Sequence, residues 1–519
     1  MSTCFYNGIF INTSNFDEAI DMLVVEKGKI SYKGKFKKSL VKKCSNSINL
    51  EGKTLIPGFN DSHMHLLGLG ISLDQLDLSE VKSITELINK SKIFIKNKNL
   101  SVLEGRGWNQ KNFIDEKIPT KHNLDKISTE IPIVLKRACG HILVCNSNAL
   151  DLINNKPSEI KGGDINFNLG ILRENGMDYL LNNLPTPSKE EIKRKFISAA
   201  NYARKKGITS VQSDDLSVFP KSHSKKILNI LKSFKNQFPL RIYEQSLFRN
   251  CENFKSFIND GYKMTNNDSY VNFGPLKILL DGALGSETAY MSKNYLNSNS
   301  RGILMYDSKR LDELVSIASK NNIDVAIHAI GDGAISNSIN SIKKCKNKKL
   351  RHSIIHCQIT TLDLIEKIKN NNILAHIQPI FLDNDVHIVE NKIGKKKAKE
   401  TYLYNTMDKI GIKIAFGSDS PVDKLDPILG IHCAVNRTDL SGKPEEGFLP
   451  DEKISIKKAL KFYTLNAAYA EHMEDKKGSL DIGKYADFTI LDKNILKVKK
   501  ENIKNVNVVN TYLNGISFN

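Results

Sequence analysis

His63-Met64-His65 sets two imidazoles two residues apart. On an extended chain that spacing sends both side chains the same way, with Cα atoms about 6–7 Å apart. Two neutral imidazole nitrogens can then converge on one metal ion at about 2.0–2.1 Å each. Further groups of the same chemistry lie in or after apolar runs: Lys277 in Leu276-Lys277-Ile278, His328 in Ile327-His328-Ala329, His356 in Ile355-His356-Cys357, and Asp419 in Gly417-Ser418-Asp419. Four imidazoles and one carboxylate suit a zinc-like divalent ion, one or two per chain, with a position open for water. Such an ion lowers the pKa of its water to about 7, so hydroxide is available at neutral pH. Asp419, at the edge of the ion, can take the proton of the attacking water and return it to a leaving nitrogen. Lys277 as an ammonium would be disfavoured both by burial and by the neighbouring cation. Carboxylation of its amine by carbon dioxide would instead give an anionic oxygen ligand able to bridge two ions. The plainer alternative is a lysine paired with Asp281.

These residues need a frame, and the hydrophobic pattern supplies one. Residues 54–59 read as a buried strand before His63, and apolar runs recur at 208–212, 241–247, 273–280, 325–330, 353–357, 373–377 and 412–416. Helical stretches intervene at 188–206, 308–321 and 361–369. The first opens on the capping box Ser188-Lys189-Glu190-Glu191 and stops at Gly207. Eight strands alternating with helices predict an α/β fold, a (β/α)8 TIM-like barrel whose active site lies at the carboxyl ends of the strands. On this division the barrel comprises 57–67 and 188–474. Residues 68–187, with a helix at 83–92 and apolar runs at 100–103 and 131–135, form an inserted subdomain over the barrel mouth. The two chain ends, 1–56 and 475–519, are each too small for a core of their own and are expected to pair as one composite β-sandwich.

Composition excludes several classes. The chain has 519 residues, and its net charge of +19 comes mainly from lysines dispersed among other polar residues. Without interleaved aromatics or arginine clusters, that charge does not predict nucleic-acid binding. No apolar run reaches the roughly 20 residues that span a bilayer, so no membrane role is expected. The amino-terminal residues show no secretory pattern, so a cytoplasmic location is expected. The eight scattered cysteines read as reduced and mostly buried. A homo-oligomer is compatible with all of this.

Taken together, the strand-end residues resemble the amidohydrolase superfamily, in the metal-dependent branch (amidohydrolase family 3) that includes N-substituted formamide deformylase. Further stretches carry the likeness: Gly107-Trp108-Asn109-Gln110, Gly140-His141, Asn146-Ser147-Asn148-Ala149-Leu150, Asp281-Gly282-Ala283-Leu284-Gly285-Ser286, His328-Ala329-Ile330-Gly331-Asp332, and Gly417-Ser418-Asp419-Ser420-Pro421-Val422. The resemblance implies that His63, His65, Lys277, His328, His356 and Asp419 form the metal site. One position departs from it: Ile355 stands where the branch often has Glu. Trp108 and His141 in the insertion, Asp281 after the fourth strand and His376 on the seventh are candidates for contact with substrate. Gln378 shares the strand of His376. Asp332 reads as the N-cap of a helix starting at Gly333, and His122, His223, His387, His432 and His472 as ordinary surface or interface residues. The expected activity is hydrolysis of a carbon–nitrogen bond, other than a peptide bond, in a small N-substituted amide. A heterocycle deaminase and a non-catalytic binding protein on the same barrel are the alternatives.

Overall fold

A computed structural model describes residues 2–518 apart from 97, 99, 140, 154–159, 161–162, 220–223 and 249–250. Gly140 and His223 therefore lie outside the described residues. The chain divides into two compact units, one of residues 1–66, 200–217 and 231–519, the other of 67–199 and 218–230.

The larger unit is built on a parallel sheet of eight strands: Phe59–Met64, Ile208–Ser213, Arg241–Leu247, Val271–Leu279, Val325–Ala329, Ser353–His356, Leu374–Ile377 and Ile414–Phe416. Each pairs with the next in sequence, giving a nearly closed TIM-like barrel. Ile208–Ser213, Ser353–His356 and Leu374–Ile377 are buried at every position. Strands buried on both faces read as continuous apolar runs, which is why these were recognisable. The expected first strand needs correction. Residues 54–59 are not one element: Thr54–Pro57 belongs to another sheet, and the barrel strand begins at Phe59. Gly58 is the joint, since a Cβ there would lie 2.3 Å from Thr209 side-chain atoms. His63 consequently lies inside the strand instead of after it.

Beside the barrel, the two chain ends share a sheet. Phe488–Leu491 runs antiparallel to Thr54–Pro57 and to Val508–Leu513. A second sheet holds Lys29–Gly34, Met22–Glu26, Ser2–Tyr6 and Asn46–Asn49 in that order. Phe5, Leu23, Leu55, Phe488 and Tyr512 pack between the two, with the Phe5 ring edge-on to Phe488 at 5.6 Å and to Tyr512 at 5.1 Å.

The smaller unit has its own sheet of six strands, Gly163–Asn166, Ile171–Glu174, Ile142–Cys145, Ile133–Arg137, Leu103–Trp108 and Leu76–Asp77 in spatial order. The helix Ile84–Ile95, capped by Ser83, packs Leu87 into this unit's core. All eight cysteines are free, six of them buried. Among the described residues no helix is long and apolar enough to cross a membrane.

Candidate metal centre

The histidines at the carboxyl end of the barrel are held by their outer nitrogens. His63 Nδ1 lies 2.7 Å from Gln245 Oε1, and the Gln245 amide is oriented by its own Nε2, which donates to Ser62 O at 3.2 Å. His63 therefore carries its proton on Nδ1 and turns the Nε2 lone pair inward. His356 repeats the device: Nδ1 donates to Gln378 Oε1 at 2.8 Å. His65 Nδ1 faces the Asp214 carbonyl at 3.2 Å. His328 is turned the other way, with Nε2 donating to Gly282 O at 3.1 Å and Nδ1 left as the inner lone pair.

The inner atoms crowd together. Asp419 Oδ1 lies 3.2 Å from both His63 Nε2 and His65 Nε2. His328 Nδ1 and His356 Nε2 are 2.9 Å apart, and Lys277 Nζ is 2.9 Å from His63 Nε2. Ligand atoms of His63, His356 and Asp419 all fall within 4.8 Å of one another. Two lone pairs facing each other at hydrogen-bond distance need a shared proton or a cation between them. Protonation is disfavoured here. Burial pushes His63 down to about 3 and His328 to about 4, and takes His356 well below its ordinary range; the Lys277 charge adds to the effect at His63 and His328. The donor set of neutral imidazoles and a carboxylate thus fits a divalent cation of the zinc type.

The remaining charges are set by position. Burial works against the Asp419 carboxylate, but the histidine rings beside it, His63 and His65 foremost, hold it well below the usual range. Burial likewise opposes charge on His65, yet Asp419 and Asp214 raise it to about 9. The Lys277 amine is lowered by burial against the pull of Asp214, whose Oδ2 is 4.0 Å away. Two of the site residues adopt backbone conformations that side chains rarely take, His356 with φ 72° and Asp419 with φ 58°. Strain of this kind persists only where surrounding contacts hold it.

The six residues expected at the metal site are therefore brought together, and Lys277 does not pair with Asp281. The substrate-side candidates stand differently. Asp281 is fully buried and accepts from the backbone N–H groups of Ile330, Gly331 and Tyr290, with burial raising it to about 7. It shapes the loop after the fifth strand instead of facing a ligand. Trp108 is wholly buried in the core of the smaller unit, its Nε1 donating to Leu135 O at 2.9 Å, so it is a packing residue. His141 is exposed and paired with Glu174. His376 is buried, with Nδ1 on Ser62 O at 2.9 Å. Asp332 is not a cap: Gly331 holds that position, and Asp332 accepts from Ser292 and Lys397. His432, expected as a surface or interface residue, is buried. Asp214, Gln245 and Asp61 were not singled out by sequence. Asp214 directly follows the second barrel strand, and Asp61 and Gln245 lie within the first and third, but what marks them is a partner far along the chain.

A sequence profile described as the amidohydrolase family matches residues 46–517. YtcJ of Bacillus subtilis (strain 168) is 29% identical over 99% of either chain. N-substituted formamide deformylase of Arthrobacter pascens is 23% identical over 90% of this chain and 89% of its own. An uncharacterized metal-dependent hydrolase from Pyrococcus furiosus superposes with a TM-score of 0.82 at 27% identity, covering 96% of this chain and all of that one.

Proposed function

The chain belongs to the amidohydrolase family, and from that premise we propose that it hydrolyses the carbon–nitrogen bond of a small N-substituted amide with a divalent metal, zinc being the ion that suits its imidazole ligands. The observation that carries this reading is the convergence of the His63, His328 and His356 lone pairs on the space beside the ionised Asp419. The 23% identity to a formamide deformylase supports the substrate class. When bound, a divalent ion supplies Lewis acidity towards an amide carbonyl and a water molecule. The protein's own part is positioning and proton transfer. Gln245, Gln378 and the Gly282 carbonyl fix the tautomers of His63, His356 and His328, and the Asp214 carbonyl orients His65, so the rings are held in place before reaction. Asp419, ionised at neutral pH, takes a proton from the attacking water. It then passes that proton to the nitrogen as the carbon–nitrogen bond breaks, leaving a carboxylic acid and an amine. In the same reading the Lys277 amine, whose ammonium form burial disfavours against the pull of Asp214, is a site for carboxylation, which would add two oxygen donors.

The test is a panel of N-substituted formamides, acetamides, cyclic amides and aminated heterocycles, assayed on protein of measured metal content. Amine release from open-chain amides, with one or two divalent ions per chain, is the expected result. Ammonia released only from heterocycles, or well under one equivalent of metal after growth in zinc-supplemented medium, would overturn the reading.

A further inference from the structure

The barrel is joined by ladders at seven of its strand neighbours, but among the described residues no ladder pairs the first strand with the eighth. Those are the strands that bring His63 and His65 against Asp419. What closes this seam at its carboxyl end is a small set of bonds. Asp61 Oδ1 accepts from the backbone N–H of His63 at 3.2 Å and from that of Ser418 at 3.0 Å. Asp419 N then donates to His63 O, and His65 N to Ser420 O, both at 2.8 Å. The approach is close enough to require glycine at 417, where a Cβ would meet His63 N at 2.6 Å and Asp61 Oδ1 at 2.8 Å.

We propose that Asp61 is a positioning residue: by gathering the amides of His63 and Ser418 on one oxygen, it sets the gap between the first and eighth strands and with it the approach of Asp419 to His63 and His65. Asp61 is 1% exposed, so its carboxyl acts wholly within the buried part of the fold. Among the described residues it is the side chain that accepts from backbone amides on both sides of the seam, those of His63 and Ser418. The backbone bonds of Asp419 and His65 depend on the same spacing, and the left-handed conformation of Asp419 needs an anchor on its amino-terminal side, which the Ser418 bond supplies. An acceptor oxygen at this point is what the geometry requires. A full negative charge is not, because both partners are neutral amides. The inference rests on the metal-site reading above, and the experiment separates the two.

Asp61→Asn, which keeps the acceptor oxygen, Asp61→Glu, which displaces it by a methylene, and Asp61→Ala, which removes it, are compared with the unaltered protein. Three quantities are read: zinc affinity by chelator competition, the absorption spectrum of the cobalt-substituted site, and amide hydrogen exchange of the segment around Ser418 in metal-free protein. The Asn variant should match the unaltered protein in all three. The Ala and Glu variants should bind zinc about 10–100-fold more weakly, the usual cost of losing a group that orients ligands, with an altered cobalt spectrum and faster exchange around Ser418 even without metal. If Ala does not fold, Glu against Asn decides the matter. An Asn variant as impaired as Glu, or a folded Ala or Glu variant with unaltered affinity and exchange, would overturn the role of Asp61. Failure of the unaltered protein to bind divalent ions would overturn the metal-site reading, while the exchange measurement would still judge the seam.

Discussion

The two ends of the barrel bury polar groups in opposite ways. Near the amino ends of the strands, Lys477 pairs with Glu471 and also donates to Ser210, while Glu471 accepts from Asn60 Nδ2 at 2.8 Å. Gln212 and Asn466 donate to backbone carbonyls in the same region. Most polar groups there are paired, with Asn60 Oδ1 and His352 Nε2 left over. At the carboxyl ends the balance is poorer: His328 and His356 turn lone pairs towards each other, and the His63 lone pair faces both the Asp419 carboxylate and the Lys277 amine. A buried polar group without a partner costs about 1–3 kcal/mol. A fold selected for stability alone would have little reason to gather several. The amino end is largely paired as it stands, whereas the carboxyl end, on the proposed reading, is arranged to take up a cation.

The sharpest way to break this comparison is Asp419→Asn. The substitution keeps an oxygen donor but removes the carboxylate that carries the proton, so turnover should fall by about 10²–10⁴-fold. Circular dichroism and most of the bound metal should be unchanged. Near-normal kcat would remove Asp419 from the chemistry.

Lys477→Met tests the other end. It strands the Glu471 carboxylate, whose side chain is 2% exposed, and breaking such a pair from one side costs about 3–5 kcal/mol. Denaturant unfolding should record that loss, while kcat per folded molecule and zinc affinity stay within about twofold. A Lys477→Met/Glu471→Gln double variant should recover part of the stability, because no unpaired charge remains. Chelation gives a smaller and reversible effect at the carboxyl end. Free metal at a hundred times its Kd should stabilise the protein by about 2.7 kcal/mol, and melting curves with and without chelator should differ accordingly. Curves that coincide would mean that the ion is not bound in the folded state.

This asymmetry was only partly legible in the sequence. Buried parallel strands announce themselves as apolar runs, so seven of the barrel strands were found within about two residues at either end. The first was misplaced because Pro57-Gly58 sits inside an unbroken apolar stretch, and nothing local says that the chain changes sheets there. The site histidines stood out because imidazoles are rare beside such runs. Gln245 did not, since a glutamine on a strand has many uses and its partner His63 lies 182 residues away. Asp61 was overlooked for a related reason: its contact with Ser418 exists only once the barrel nearly closes. Trp108 was over-read, because a single tryptophan in a suggestive stretch is silent about whether it packs or lines a pocket.

A partly exposed charge refines the contrast between ends. Asp481 joins the chain termini, with Lys33 Nζ 2.8 Å from its Oδ1, Asn12 and Ser14 on the same oxygen and Ser479 on the other. Its side chain is 31% exposed and that of Lys33 17%, so solvent screens the pair far more than it does Lys477 and Glu471. Asp481→Asn should therefore cost no more than about 1 kcal/mol at neutral pH, well below the Lys477 effect. The sign of its pH dependence follows from the carboxyl being held below its ordinary range, where burial raises it but Lys33 and the hydroxyl and amide donors lower it further. A depressed folded pKa contributes stability that is fully present above the unfolded value of about 3.9 and is lost as pH falls towards the folded one. The difference in melting temperature between the unaltered protein and Asp481→Asn should thus be constant from neutral pH down to about 4 and shrink below it. A gap that widens on acidification would show that the carboxylate is not stabilised by its partners, and that burial alone governs it.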